Sequence, residues 1–237
     1  HYRSGEPWAA EHYDEIRTGT VTDPIPSYVE VNFNHACNLK CSYCSPQFSS
    51  SWADEVSRHG AYPTSNPHND PIHFTGNRRP IPASESNPYV DAFWEWWPEL
   101  YPKLKHFRMT GGEPLMDKNT YKVFDYVLAF PKPDLHLNVT SNFSVEPKLY
   151  DKYHDYVKRL CDTNIEHFMQ YVSLDTGNHE HAEYIRDGLK YKTWRANLVT
   201  FLEKANFRAL TIMMTINSLC LFSIVEFFED MKILKAK

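Results

Sequence analysis

The stretch YVEVNFNHACNLKCSYC, residues 28–44, sets a strand directly against a cluster of thiols. Val29, Val31 and Phe33 alternate with Glu30, Asn32 and Asn34, which is the two-residue period of a strand. Cys37, Cys41 and Cys44 follow at once in the spacing Cys-x-x-x-Cys-x-x-Cys. Three thiolates in a short loop suit an iron–sulfur cube, and a cube with three protein ligands keeps one iron open to a chelating small molecule. Two alternatives stand beside this reading. A zinc ion completed by His35 or a distant ligand would more often use two paired ligand knuckles, and no second pair occurs. Three free buried cysteines are rarely spaced so tightly. The cube reading leads over both. Cys161 and Cys220 stand alone and read as packing residues, so the chain has no disulfide framework of the kind small secreted domains use.

The strand period recurs over His106–Thr110, Leu135–Thr140, Tyr171–Asp175 and Leu210–Asn217. Between these segments the apolar spacing is helical, over Tyr89–Leu100, Asp117–Phe130, Pro147–Cys161, His181–Ala205 and Leu221–Lys235. Strand and helix in strict alternation predict an α/β fold, with parallel strands joined by helical crossovers. Parallel strands covered on both faces read as continuous apolar runs, whereas here every strand carries a polar row. A curved sheet, a partial (β/α) barrel, resolves this: the apolar rows pack on helices and the polar rows line the lumen. An antiparallel sheet with one wetted face would give the same alternation, but the intervening helices argue against it.

Composition restricts the function classes. At 237 residues, with 42% hydrophobic and 23% charged side chains, the chain is long and apolar enough for a sizeable core. A net charge of −5 argues against grip on a nucleic-acid backbone. No apolar run is long enough to span a membrane and no secretory signal pattern opens the chain, so the expectation is a cytoplasmic protein. Residues 1–27 read as an N-terminal extension and 28–237 as the core. Ala61–Pro88, which holds six of the sixteen prolines, reads as a long loop insertion or lid.

A second motif, Thr110-Gly111-Gly112-Glu113-Pro114, ends the second strand. Two glycines let backbone approach a ligand closely, and Glu113 offers an acceptor for an ammonium group. With the cysteine triplet, each at a strand's C-terminal end where parallel barrels keep their active sites, the pair of motifs is specific. The chain resembles the radical SAM superfamily over roughly residues 28–232. The segment quoted above, the TSN turn at 140–142, SLDT at 173–176 and YIRDGL at 184–189 look most like the branch that carries a twitch or SPASM extension.

That resemblance implies a 4Fe-4S cluster whose unique iron binds the amino and carboxylate groups of S-adenosylmethionine. Reduction would cleave the cofactor to methionine and a 5'-deoxyadenosyl radical that abstracts hydrogen from a substrate. It implies Cys37, Cys41 and Cys44 as cluster ligands, Gly111, Gly112 and Glu113 as the turn that receives the methionyl amino group, and Tyr43 near adenine. Ser141, Ser173 and Asp175 would meet ribose or carboxylate, Arg186 the carboxylate, and Ile216 and Asn217 the adenine. The lumen row, Glu30, Asn32, Arg108, His136 and Asn138, becomes the substrate surface, which suits a polar small molecule or a peptide. An external electron donor of flavodoxin or ferredoxin type is implied as partner.

Complete cores of the family have six strand-helix units and five are counted here. With His1 in place of an initiator Met, the expectation is a C-terminally cut piece of a longer protein rather than a shortened fold or an edge covered by another chain. The competing function is a non-catalytic iron–sulfur or zinc module, docked to a partner through the aromatic helix Tyr89–Leu100.

Overall fold

The computed structural model describes residues 10, 12–20, 25–63, 65, 70, 72, 80–163 and 167–235. Much of the expected N-terminal extension and nearly half of the Ala61–Pro88 insertion lie outside the described residues. Five parallel strands form one sheet: β1 (Tyr28–Asn32), β3 (His106–Thr110), β4 (His136–Ser141), β5 (His167–Ser173) and β7 (Ala209–Met213). They stand in the order β1-β3-β4-β5-β7, so each crossover advances one place in the same direction. A second, two-stranded antiparallel sheet pairs β2 (Lys40–Cys41) with β6 (Arg186–Asp187). The fold is α/β with a parallel sheet, as the alternation predicts.

The apolar row of each strand meets the helices. Phe107, Met109, Leu137, Val139, Phe168 and Val172 are fully buried, each worth roughly 1.5–3 kcal/mol of burial. Against them lie Val123, Phe124 and Val127 of the helix Lys118–Ala129, Tyr153, Val157 and Leu160 of Pro147–Asp162, and Trp194, Leu198 and Phe201 of Tyr191–Lys204. The helix Pro88–Leu100 adds Trp97 and Leu100. Its start is fixed by Asn87, whose side chain accepts from Tyr89 N–H at 3.1 Å, followed by Pro at the first helical position.

Three boundaries differ from the expected ones, each for a local reason. β5 begins at His167 rather than Tyr171, because Gln170 occupies the helix-facing row and hides the period. Its amide donates to the Val139 and Tyr171 carbonyls at 3.1 and 2.8 Å, and the Tyr153 hydroxyl donates to its Oε1, so a fully buried amide is satisfied. The single helix expected over His181–Ala205 is two, His179–Ile185 and Tyr191–Lys204, separated by β6 and by Gly188 at φ 97°. β7 stops at Met213, and Ile216 and Asn217 lie in the following loop, where Asn217 accepts from Leu219 N–H at 3.0 Å and closes a turn.

At the N-terminal end of the strands the polar row is histidine. His106, His136 and His167 occupy paired positions on β3, β4 and β5, with ring centroids 4.4 and 4.1 Å apart. Burial, then the neighbouring His106 and His167, push the His136 pKa down to about 4. A histidine held neutral by the fold binds its proton more readily when unfolded, near 6.5, so it stabilises the fold above that value and ceases to as pH falls towards 4. Denaturation midpoints measured across this range should therefore fall with decreasing pH, and His136→Asn should flatten that slope. An unaltered slope in the variant would show that the stack does not govern it.

Candidate functional site

The cysteine loop follows β1 and is held on three sides. Behind it, the first turn of the helix Ser50–His59 pins its carbonyls: Ser51 Oγ donates to Cys37 O at 2.7 Å, Ser49 Oγ to Leu39 O at 2.6 Å and Trp52 Nε1 to Cys41 O at 2.9 Å. Ser50 N–H donates to His35 O at 2.8 Å, and Cys37 N–H donates to Ser50 Oγ at 3.1 Å. Sequence reading passed over this Ser-Ser-Ser-Trp run; a serine N-cap directly after a motif loop was the available signal.

On the second side the Gly111-Gly112 turn presses backbone to backbone. A Cβ on Gly112 would stand 2.7 Å from the His35 carbonyl carbon and closer still to the Ala36 carbonyl oxygen, and Glu113 N–H donates to that oxygen at 2.7 Å. Only glycine permits this approach. On the third side Gly188, at φ 97°, brings its backbone to within 2.7 Å of Asn38 O, measured from where a Cβ would sit. Asn38 then bridges to the TSN turn, donating to Ser144 O at 2.8 Å and accepting from Asn142 Nδ2 at 2.9 Å.

In front of the loop opens a cavity of about 290 Å³. It gathers Cys37, Cys41, Cys44, Tyr43, Gly111, Gly112, Ser141, Ser173 and Arg186 on one wall system. Thr140, Asn142 and Phe48, which the motif reading did not single out, line it too. The cavity sits at the C-terminal ends of β3, β4 and β5, where parallel α/β sheets place ligands. A larger cavity, about 820 Å³, opens between Ser84–Asn87, Trp94 and Lys118. It holds none of the cysteines, and chemistry rather than size decides between them.

Burial first of all raises the cysteine thiols, Cys37 to about 12 and Cys41 to about 11, with Cys44 raised less far. A cation bound there would replace the proton and hold each sulfur as the anion that burial alone disfavours. Among the described residues no three of His, Cys, Asp and Glu stand close enough to share one metal ion. A single zinc at about 2.3 Å from each sulfur would demand that convergence, whereas a cube binds each sulfur through a different iron. Three sulfurs from one short loop, Cys37, Cys41 and Cys44, are a donor set that could hold an iron–sulfur cube.

Behind the cavity lies a buried ionic pair. Asp175 is fully buried and takes Arg186 Nε and Nη2 at 2.8 and 3.0 Å, the Tyr43 hydroxyl at 3.0 Å and Thr215 N–H at 2.9 Å. Arg186 Nη1 stands 3.7 Å from Cys41 Sγ. Glu113 is buried as well, and its carboxylate is taken by backbone N–H groups of Leu115 at 3.1 Å and Asn142 at 2.7 Å. Burial raises its pKa to about 7. The acceptor expected to face an ammonium group thus ties the Gly-Gly turn to the end of β4.

The remaining site residues lie deeper or elsewhere. Arg108 is in the middle of the polar face, donating to Thr140 Oγ1 at 3.2 Å, 3.8 Å from Glu30 and 4.5 Å above the Tyr171 ring. Asn138 is its paired neighbour on β4, buried, with Oδ1 unpartnered. Asn32 lies against Gly111 in the space a Cβ would take. His136 is at the opposite end of its strand from the cavity, and Ile216 is largely exposed outside it.

No family model matches the chain. The GTP 3',8-cyclase of Aliarcobacter butzleri (strain RM4018) is 26% identical over 162 residues, 67% of this chain and 37% of that protein. The GTP 3',8-cyclase of Sulfurimonas denitrificans (strain ATCC 33889 / DSM 1251) is 20% identical over 171 residues, 70% of this chain and 43% of that protein. The chain spans about two fifths of the length of these curated relatives. Among solved structures, Streptococcus suis SuiB bound to precursor peptide SuiA superposes with a TM-score of 0.50 at 14% identity, covering 94% of this chain and 41% of that one. SuiB bound to S-adenosylmethionine gives the same TM-score and identity. The fold is thus similar to that of SuiB, a partial barrel, and neither comparison singles out the twitch or SPASM branch that the sequence pattern resembles. Among the described residues no helix is long and apolar enough to cross a membrane.

Because the Gly112 contact is backbone against backbone, neither side can give way cheaply. Gly112→Ala should lower stability by about 1–3 kcal/mol, the cost of overpacking, in chemical denaturation, and should speed alkylation of the cysteines by displacing their loop. Alkylation at the unsubstituted rate would show that the turn does not hold the loop.

Proposed function

We propose that the chain is the core of a radical S-adenosylmethionine enzyme acting on a polar substrate, a peptide or a small metabolite. The observation that carries this is the single cavity at the strand ends in which the three cysteines meet the Gly111-Gly112 turn, Ser141, Ser173 and Arg186. When bound, a reduced 4Fe-4S cluster and S-adenosylmethionine supply a 5'-deoxyadenosyl radical for hydrogen abstraction.

The chain's own residues bind and orient. Cys37, Cys41 and Cys44 would hold the cluster, and the backbone of the Gly111-Gly112 turn, which lines the same cavity, would receive the cofactor's methionyl end. The hydroxyls of Ser141 and Ser173 suit a ribose diol. Beyond the cavity, Arg108, Glu30, Asn32 and Asn138 offer charge and amide groups to a polar substrate. His136, at the far end of the barrel, serves as a wall of that lumen. SuiB, which shares the fold, was solved bound to a precursor peptide, and this supports the peptide reading. The reductant would come from a flavodoxin or ferredoxin type of donor.

Anaerobic loading with iron and sulfide, reduction with dithionite and addition of S-adenosylmethionine should yield 5'-deoxyadenosine and methionine, and Cys41→Ala should abolish both. A cluster that forms without cleavage would favour the non-catalytic module, and tight zinc binding with neither would favour a zinc site. Within the active reading, Arg108→Ala and Asn138→Ala should keep cofactor cleavage and lose substrate turnover. Loss of both activities together would assign these residues to the fold or the cofactor.

A further inference from the structure

Arg186 has three hydrogen-bonding nitrogens, and the fold aims them at two targets. Nε and Nη2 donate to the buried Asp175 at 2.8 and 3.0 Å, while Nη1 faces Cys41 Sγ at 3.7 Å. A guanidinium is planar, so fixing two nitrogens on a carboxylate fixes the direction of the third. The carboxylate is itself fixed by the Tyr43 hydroxyl at 3.0 Å and Thr215 N–H at 2.9 Å. From the backbone side, the β2–β6 pairing sets Cys41 opposite Arg186, and Ser42 N–H donates to Ile185 O at 2.8 Å.

The three sulfurs are therefore unequal. Cys41 has a cation beside it; Cys37 receives only Leu39 N–H at 3.5 Å, and the Cys44 thiol turns to the Ser45 carbonyl at 3.8 Å. An arginine that received a cofactor carboxylate would keep its fork open, and this fork is closed on Asp175. We infer that Arg186 is a positioning residue for the cysteine-bound cluster, donating from Nη1 to the Cys41 sulfur and raising the cluster's midpoint potential. The inference rests on the cluster reading proposed above. A sulfur ligand that accepts a hydrogen bond from a cation carries the added electron more easily, which favours the reduced state.

The test uses the full chain, loaded anaerobically with iron and sulfide, with the midpoint potential read by electron paramagnetic resonance during dithionite titration in the absence of S-adenosylmethionine. Arg186→Lys keeps the charge, but one ammonium cannot serve Asp175 and Cys41 with a fork's geometry. The double substitution Arg186→Gln with Asp175→Asn removes both charges together. The double variant should lower the reduction equilibrium about tenfold, ~59 mV for one electron, and Arg186→Lys should shift it by less in the same direction. Iron and sulfide content should stay unchanged in both. An unchanged potential overturns the inference, and an unchanged potential with tenfold weaker S-adenosylmethionine binding reassigns Arg186 to the cofactor's carboxylate. Should the double variant fail to hold a cluster, the potential of Arg186→Lys decides alone. Absence of any cluster in the unsubstituted chain removes the proposed function and this inference together.

Discussion

The site depends on one steric constraint, the contact of the Gly112 backbone with the peptide units of His35 and Ala36. It joins the end of β3 to the loop that leaves β1, and no side chain intervenes. Because the Glu113 N–H donates to Ala36 O in the same contact, the turn and the cysteine loop share a hydrogen bond as well as a surface. Glu113 then passes the constraint to β4 through Asn142 N–H. Three strand ends are thus tied together, β1 to β3 by main-chain groups and β3 to β4 by the Glu113 carboxylate. A buried carboxylate with a raised pKa is tolerated here because its two oxygens each accept a backbone donor.

The other half of the architecture follows from the sheet being greasy on one face only. Phe107, Leu137, Phe168 and their neighbours bury against helices, so the opposite row need not be apolar and is free to carry charge. Gln170 shows how strictly the apolar row is policed. As the polar residue of β5 on that side it is accepted only with its amide and its carbonyl oxygen all bonded, to Val139, Tyr171 and Tyr153.

Much of this was legible in the sequence. The period of two gave His106–Thr110 to the residue, and the cysteine and glycine motifs named six residues that the cavity brings together, to which the family resemblance added Ser141, Ser173 and Arg186. What stayed hidden was of two kinds. Gln170 disguised the first half of β5, since an alternation test reads a polar residue as outward-facing whether or not a buried tyrosine is waiting for it. The role of Arg186 was equally out of reach: its partners Asp175 and Cys41 lie 11 and 145 residues away, and only the β2–β6 pairing brings the cysteine loop to it. A helical pattern runs straight through that two-residue strand, so the break had no periodic signature apart from Gly188. The serines of 49–51 went unread as the start of the helix Ser50–His59 and as the clamp on the loop, because backbone acceptors leave no trace in side-chain spacing.

The two polar regions are built with different rigidity, and this bears on which of them can vary. Around the cavity, Asp175 and Arg186 are almost wholly buried and fully bonded, so that removing one partner would strand a charge at a cost of about 3–5 kcal/mol. On the lumen row, Glu30 and Arg108 are 3.8 Å apart with side chains 44% and 20% exposed, a pair of the kind that contributes at most about 1 kcal/mol. The cavity residues are therefore bound to the fold, whereas the lumen charges can be exchanged with little loss of stability. A scaffold so divided can change its lumen charges without disturbing the cysteine loop, because the same sheet presents strand ends to one region and strand middles to the other.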